Sequence, residues 1–134
     1  MAIEEPVVRI GAGDRTAGDP TPGMVREQAI AIDGMWAGYV RTEPHATSGW
    51  HHHGDNDATV YVVRGRIRLE FGPDGSRSVD AAPGDFVHVP KGVVHRESNP
   101  GDTESHVVVV RAGHGLPTVN VNRPSASSPS DPGP

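Results

Sequence analysis

A chain of 134 residues is long enough for one domain with a single modest core. Its 12 Lys and Arg residues against 17 Asp and Glu residues give a formal net charge of -5, and no basic cluster stands out, which argues against binding to nucleic acid or to an anionic membrane. The absence of cysteine excludes disulfides, thiolate nucleophiles and cysteine-ligated metal clusters. The N-terminal residues lack the basic start and apolar stretch of a secretion signal, so the expected location is the cytoplasm.

Short strand-like segments recur along the chain with turn residues between them, which predicts an all-β sandwich or barrel. The 17 glycines and 13 prolines suit short strands joined by tight turns. We expect an N-terminal arm over residues 1–23, one barrel over 24–116, and a largely disordered Pro- and Ser-rich tail over 117–134. The predicted strands are 29–33, 35–42, 49–53, 59–64, 66–71, 76–81, 86–90, 94–98 and 106–111.

The first histidine-containing segment, residues 50–65, places His51 and His53 one residue apart. Because side chains alternate across an extended strand, both imidazoles should lie on one face while His52 points to the other. Two imidazoles on one face indicate a site for a transition metal. Taken alone, three consecutive histidines are also compatible with a polar loop that binds no metal.

The strand predicted at 59–63 is apolar on both faces and should be covered on both sides. The barrel interior covers one face. For the other face we expect a second copy of the chain in a symmetric homodimer. The alternative is that the N-terminal segment 7–10 folds across it.

The second histidine-containing segment, residues 84–99, places turn residues around a strand and delivers a third histidine. Its key residues are separated by five, one, two and three positions: Gly84, Pro90, Gly92, His95 and Asn99. This spacing resembles the second conserved motif of the cupin superfamily, and the segment from His51 to Gly65 resembles the first. The resemblance covers about residues 24–112 and implies a single-domain double-stranded β-helix, an RmlC-like jelly-roll barrel.

The resemblance implies that His51, His53 and His95 hold one divalent transition metal, with Fe²⁺ favoured and Zn²⁺, Ni²⁺, Mn²⁺ or Cu²⁺ left open. The family usually carries a glutamate ligand seven residues before Gly65, where this chain has Ala58. Three neutral imidazoles leave the double charge of the ion uncompensated. The site should therefore attract a small anionic or chelating substrate.

Other acidic and basic side chains are candidates for roles near the metal. Asp55 or Asp57, in the loop predicted after His53, could replace the missing carboxylate if a bulge re-aims it, or could serve only the turn. His106 and His88 are candidate catalytic groups, since either could point into the barrel and transfer protons near neutral pH.

Five further residues have candidate roles in the site or in the fold. Trp50 and Tyr61 flank the site, either lining a pocket or filling the core or an interface. Arg64 and Arg68 are candidate partners for a substrate carboxylate. Asn99 precedes a Pro-Gly pair and is assigned to a structural turn.

The missing glutamate determines the leading functional hypothesis. Cupins without it include oxygenases with three-histidine iron sites, which favours a dioxygenase-type reaction at Fe(II) in which the metal acts as Lewis acid and template. One alternative is a non-oxidative metal-dependent lyase, isomerase or decarboxylase. Another is a barrel that binds a small ligand without chemistry, because this fold hosts many functions.

Overall fold

The computed structural model describes residues 6–115 and 118–125, and these residues form mostly β-strands. No helix among them is long and apolar enough to span a membrane. Two short 3₁₀ turns occur, at Ala12–Asp14 and Pro73–Gly75. The strands are β1 (Thr16–Ala17), β2 (Met24–Ile32), β3 (Met35–Thr42), β4 (His51–His52), β5 (Asp55–Arg64), β6 (Ile67–Phe71), β7 (Arg77–Ala81), β8 (Phe86–Val89), β9 (Arg96–Ser98), β10 (Ser105–His114) and β11 (Val119–Asn120).

The strands form two main antiparallel sheets that enclose one core. The larger sheet has the order β1-β2-β3-β10-β5-β8, and the smaller one has the order β7-β6-β9. Strand β10 lies between β3 and β5, so the end of the barrel sequence pairs with its beginning. A single hydrophobic cluster contains residues of both sheets, including Val60 and Val107 of the larger and Leu69 of the smaller. This architecture is the double-stranded β-helix, as predicted.

Alternating burial shows which face of each strand lines the barrel. In β5 the even-numbered residues from Asn56 to Val62 are buried, and in β10 the buried residues are Ser105, Val107 and Val109. Each fully buried valine stabilises the fold by roughly 1.5–3 kcal/mol relative to an exposed one. Residues between these positions lie on the outer face of the larger sheet.

All nine predicted strands have a counterpart, and the differences have physical causes. Strand β2 begins at Met24 rather than at residue 29, because Arg26 and Gln28 place polar groups on the inner face and obscure the apolar alternation. Asp55 and Asp57 lie in β5 rather than in a loop. Between them Asn56 is buried, and its side-chain amide donates to the carbonyl oxygen of His53 at 3.1 Å. Because asparagine is typical of turns, the sequence around Asn56 predicts a loop where β5 begins.

The segments outside the predicted barrel are also packed where they are described. Strand β1 pairs with β2, so the end of the N-terminal arm belongs to the larger sheet. Strand β11 pairs with β4, Pro124 is fully buried, and the amide of Asp74 donates to the carbonyl oxygen of Ser125 at 3.0 Å. Part of residues 118–125, at the start of the predicted tail, therefore contacts the barrel, and the disorder expected for the tail as a whole stays a prediction. Residues 1–5 of the arm and 117 and 126–134 of the tail lie outside the described residues.

Candidate metal centre

The two histidine-containing segments are neighbours, as predicted. The backbone of His51 pairs with that of His95 through two hydrogen bonds, of 2.9 and 2.8 Å. The three imidazole centroids lie 4.4 Å apart for His51 and His95, 4.9 Å for His53 and His95, and 5.2 Å for His51 and His53. Relative exposures of 6%, 3% and 1% for His51, His53 and His95 show that the cluster is buried. His52 points away, and its Nδ1 accepts the amide of Gly54.

Backbone carbonyl groups orient two of the imidazole rings. The Nδ1 atom of His51 lies 2.9 Å from the carbonyl oxygen of Gly49, and that of His95 lies 3.0 Å from the carbonyl oxygen of Val93. A carbonyl oxygen only accepts, so Nδ1 must carry the proton and Nε2 keeps its lone pair. In the described part of the chain, the Nε2 atom of His95 is buried and has no hydrogen-bond partner. A cation at this point would satisfy an otherwise orphaned nitrogen.

A fourth potential ligand, Glu97, was missed by the sequence analysis. Its carboxylate and one nitrogen of each histidine all lie within 4.8 Å of one another, and Oε1 lies 3.8 Å from Nε2 of His95. Glu97 is directly opposite the buried Leu69 in the β6–β9 pair, so its side chain faces the interior. The alternation that placed His51 and His53 on one face applies equally to His95 and Glu97, and could have revealed it.

Electrostatics keep these groups in the states that bind metals. Burial lowers the pKa of His51, with His95 lowering it further, so the ring is neutral at pH 7. Burial alone would raise the pKa of Glu97, but His95, His51 and Arg26 outweigh it and hold that pKa well below its usual range. Three neutral imidazoles and one carboxylate fit a divalent transition metal such as iron, manganese, nickel, copper or zinc.

The two aspartates that could have replaced the missing glutamate, or served only a turn, lie elsewhere. The Oδ1 atom of Asp57 lies 3.2 Å from Nε2 of His88 and accepts the amide of Lys91, also at 3.2 Å. Hydrogen bonds from His88 and Lys91 lower the pKa of this exposed carboxyl group. Asp55 is exposed at the start of β5. Neither belongs to the cluster around His95, so the expectation is corrected in favour of Glu97.

His88 and His106 do not point into the barrel. His88 is exposed, and its Nε2 atom contacts the carboxylate of Asp57. His106 alternates with the buried Val107 and lies on the outer face, where Nδ1 contacts the hydroxyl of Tyr39 and Nε2 contacts Glu104, both at 2.8 Å. The structure therefore keeps both predicted catalytic histidines apart from His51, His53, His95 and Glu97, the four residues that form the candidate metal cluster.

The metal cluster opens onto a cavity of about 610 Å³. Both His51 and Glu97 line it, so a ligand in the cavity would face the cluster. The volume falls in the usual range for small-molecule sites. Polar or aromatic groups from the larger sheet also line this cavity: Arg26, Gln28, Trp36 and Arg111.

The aromatic and basic residues expected beside the site lie outside this cavity. Trp50 stacks on the guanidinium of Arg96, and the ring of Tyr61 contacts Phe86 on the outer face. Arg64 is exposed, and Arg68 forms two hydrogen bonds with Asp80, of 2.7 and 3.0 Å. The arginines that do line the cavity are Arg26 and Arg111, which the sequence analysis did not single out.

Asn99 is structural, as predicted. It is fully buried, and its amide donates to the carbonyl oxygens of Thr42 at 3.0 Å and Thr103 at 2.8 Å. Its side-chain oxygen accepts the amide of Gly101 at 2.9 Å. One side chain thus ties the turn after β9 to the end of β3.

Comparison with known proteins places these features in context. Residues 38–111 match a family model described as the cupin domain. No curated protein sequence matches the chain. Similar solved structures include KdgF from Halomonas sp., with 21% identity, a TM-score of 0.69, and coverage of 82% of this chain and 96% of that chain. The polyketide cyclase RemF from Streptomyces resistomycificus has 22% identity, a TM-score of 0.71, and coverage of 87% and 86%. Oxalate oxidase in complex with glycolate has 22% identity, a TM-score of 0.65, and coverage of 79% and 60%.

Proposed function

Because the chain belongs to the cupin family, we propose that it is a metal-dependent enzyme that acts on a small anionic molecule in the barrel cavity. The observation that carries this proposal is the convergence of three buried imidazoles and one carboxylate beside the cavity. Substrate would enter the space that His51 and Glu97 share, where it can reach the metal cluster. The described lining contains no lysine or cysteine, so it offers neither an amine nor a thiol for covalent catalysis.

The residues present would hold one divalent transition metal through the Nε2 atoms of His51 and His95, a nitrogen of His53 and the carboxylate of Glu97. A bound ion would act as a Lewis acid that polarises a substrate oxygen and stabilises developing negative charge. The protein contributes fixed ring orientations, because Gly49 and Val93 hold the Nδ1 sides of two ligands. It also contributes a largely buried setting that excludes water from the ligand atoms.

For the reaction type we place a non-oxidative lyase, isomerase or decarboxylase first. The dioxygenase hypothesis depended on the absence of a carboxylate ligand, and Glu97 removes that premise. Glu97 would instead supply an anionic ligand to a bound ion, which could act as a Lewis acid on a substrate oxygen in the same cavity. One fold relative is a polyketide cyclase, RemF.

The Fe(II) dioxygenase-type reaction is the second candidate. Its support is the set of three imidazoles, which suits iron as well as zinc, nickel and copper. Another fold relative is an oxalate oxidase. Turnover that requires oxygen and iron would favour this candidate, whereas turnover without oxygen in the presence of Zn²⁺ or Mn²⁺ would favour the first.

Elemental analysis tests the shared part of the proposal. Protein purified without chelator or affinity tag is expected to contain a transition metal in stoichiometric amount, and His95→Gln should lose it. His88→Gln is the matched control, because His88 is an exposed histidine away from the cluster. Equal metal content in wild type and His95→Gln would overturn the metal-dependent function.

A substrate panel then separates the functional classes. Metal-loaded protein would be incubated with β-diketones, catechols, thiols and oxo- or hydroxy-acids, in air and without oxygen. A compound that binds tightly and returns unchanged under every condition would favour the non-catalytic binding barrel. A cytoplasmic location and the absence of nucleic-acid or membrane partners remain predictions.

A further inference from the structure

Arg26 and Arg111 both line the barrel cavity. Neither forms an ion pair within the described residues. A hydrogen bond to the hydroxyl of Thr21 holds Arg26. The guanidinium of Arg111 lies 4.5 Å from the ring centroid of Trp36, and its Nε atom is buried and has no hydrogen-bond partner among the described residues.

The arginines are fixed in place rather than free to move to solvent. The indole nitrogen of Trp36 donates to the side-chain oxygen of Gln28 at 2.9 Å, which fixes the ring that supports Arg111. A Cβ atom at Gly38 would collide with this indole ring, so the glycine allows it to lie along the inner face of β3. Thr21 anchors Arg26 from the segment after β1.

Guanidinium groups in a cavity are costly when burial removes water without supplying a carboxylate partner. Other arginines in this fold have such partners, as Arg68 has Asp80 and Arg96 has Glu70. Burial lowers the pKa of Arg111; the nearby charge of Glu97 raises it in part, and the like charge of Arg26 lowers it again. A bound anion would relieve both the desolvation and the repulsion.

Charge bookkeeping limits the kind of anion. Besides the two arginines, the charged groups at the cavity are Glu97 and, at the exposed rim, Asp19. With a divalent metal on the cluster, these groups leave an excess of two positive charges. One carboxylate at the arginines and one anionic oxygen toward the metal cluster neutralise that excess. A phosphomonoester in place of the carboxylate would exceed it.

We propose, on the basis of the proposed function, that Arg111 and Arg26 form a carboxylate-binding subsite in the cavity that His51 and Glu97 also line. The substrate class is then a small organic acid with a carboxylate at one end and, at the other, an oxygen that is anionic when bound, such as a second carboxylate or a hydroxyl that loses its proton. The planar guanidinium fork suits a carboxylate, which it can bind through two parallel hydrogen bonds.

Calorimetry on metal-free protein tests this subsite separately from the metal. EDTA-treated full-length protein would be titrated with acetate, succinate, glutarate and benzoate, with the neutral glutaramide and with inorganic phosphate. We expect at least one carboxylate to bind and glutaramide not to bind. Arg111→Gln and Arg26→Gln should each weaken that carboxylate by about tenfold or more, since a hydrogen bond to a charged group is lost. Arg68→Gln, which removes an arginine that pairs with Asp80 outside the cavity, is the matched control and should bind as wild type does.

The outcomes distinguish failure of the subsite from failure of the metal centre. Equal binding of acids and amide, no binding of any acid, tighter binding of phosphate than of every acid, or an Arg111→Gln protein that binds as Arg68→Gln does would overturn the subsite. Unfolding temperatures identify a variant that fails to fold, in which case Arg26→Gln and Arg111→Lys decide. Arginine variants that keep their metal while losing the acid support the subsite. Acid binding by a protein that takes up no metal would refute the proposed function and leave the subsite standing.

Discussion

Ala58 lies directly opposite Arg111 in the antiparallel pair of β5 and β10. Ala58 is 1% exposed and occupies the position at which the family usually has a glutamate ligand. A glutamate at this position would place its charge beside the guanidinium of Arg111. Because Ala58 carries no charge, it offers Arg111 no ion pair on β5. The carboxylate beside the three histidines comes instead from Glu97, on the smaller sheet.

A negative charge at position 58 would compete with a bound carboxylate for Arg111. Ala58→Glu should pair with Arg111 and weaken binding of a small carboxylate to metal-free protein by about tenfold or more. Calorimetry provides the measurement. Ala58→Gln has nearly the same size without the charge, so it reports how much of the effect is due to overpacking, which typically costs about 1–3 kcal/mol. Equal losses in the two variants would contradict the proposed role of charge.

Glu97→Gln should weaken metal binding while leaving the fold intact. The amide keeps the size of the side chain but removes the negative charge facing His95. We expect a loss of affinity on the order of tenfold to a hundredfold, the range found for changes next to a bound metal. Titration with Zn²⁺ or Mn²⁺ against a competing chelator measures it. Glu104→Gln, on the outer face beside His106, is the control and should bind metal as wild type does.

Sequence reasoning located the parts of the site that depend on local spacing. His51 and His53 are one residue apart, and His95 follows a Gly and Pro pattern. In both short segments, residues adjacent in sequence determine the local backbone geometry. It failed where the orientation of a whole strand had to be known. The run from Val107 to Val110 is apolar at every position, so its alternation does not reveal which residues face inward. A register shift between His106 and Val107 in the pairing with β5 adds a further uncertainty that sequence does not show.

The same limitation explains why sequence reasoning did not identify Arg26 and Arg111 as cavity residues. Arg111 follows that apolar run, and its inward direction depends on register with β3 and β5. Arg26 precedes a second register shift, in the pairing of β2 with β3. A polar residue beside a strand is ordinarily assigned to the solvent face. Only the positions of the neighbouring strands identify these two as cavity residues.

Asn99→Ala should destabilise the fold by about 2–4 kcal/mol. It removes three hydrogen bonds and leaves two carbonyl oxygens and one amide with weakened partners at a fully buried site. Urea unfolding measures the loss. Asn122→Ala, at an exposed position, should change stability by less than about 0.5 kcal/mol. If both variants unfold at the same urea concentration as wild type, the structural role of Asn99 is wrong.

The metal-free protein should lose stability as the pH falls below about 6.5. Burial lowers the pKa of His51 from 6.5 in the folded state, so below that pH the unfolded chain binds a proton that the folded chain excludes. Stability therefore rises with pH through this window and levels off above it. One such group contributes a slope of at most about 1.4 kcal/mol per pH unit. Urea unfolding in EDTA at several pH values measures it.

The control for this pH dependence is a second histidine variant. His51→Gln should flatten the slope below pH 6.5, because it removes the group whose protonation differs between the two states. His88→Gln, at an exposed position, should leave the slope close to that of wild type. An unchanged slope in His51→Gln would assign the effect to other groups.

The expected homodimer remains a prediction, and the outer face of β5 and β8 is where it can be tested. Tyr61 is directly opposite Phe86 there, and Phe86 and Val63 have relative exposures of 72% and 44%. The alternative cover, segment 7–10, leaves Val7 fully exposed and Val8 67% exposed, so these side chains do not pack on that face. Large exposed apolar groups on one sheet face favour a protein partner, and a twofold contact lets each copy cover the other.

Phe86→Glu should then convert a dimer into a monomer, because two charged groups would be buried against apolar side chains. Light scattering at two protein concentrations gives the mass of each form. Val79→Glu, which places the same charge at an exposed apolar position of β7 in the smaller sheet, should leave the mass unchanged. A wild-type protein that stays monomeric at both concentrations would contradict the predicted homodimer.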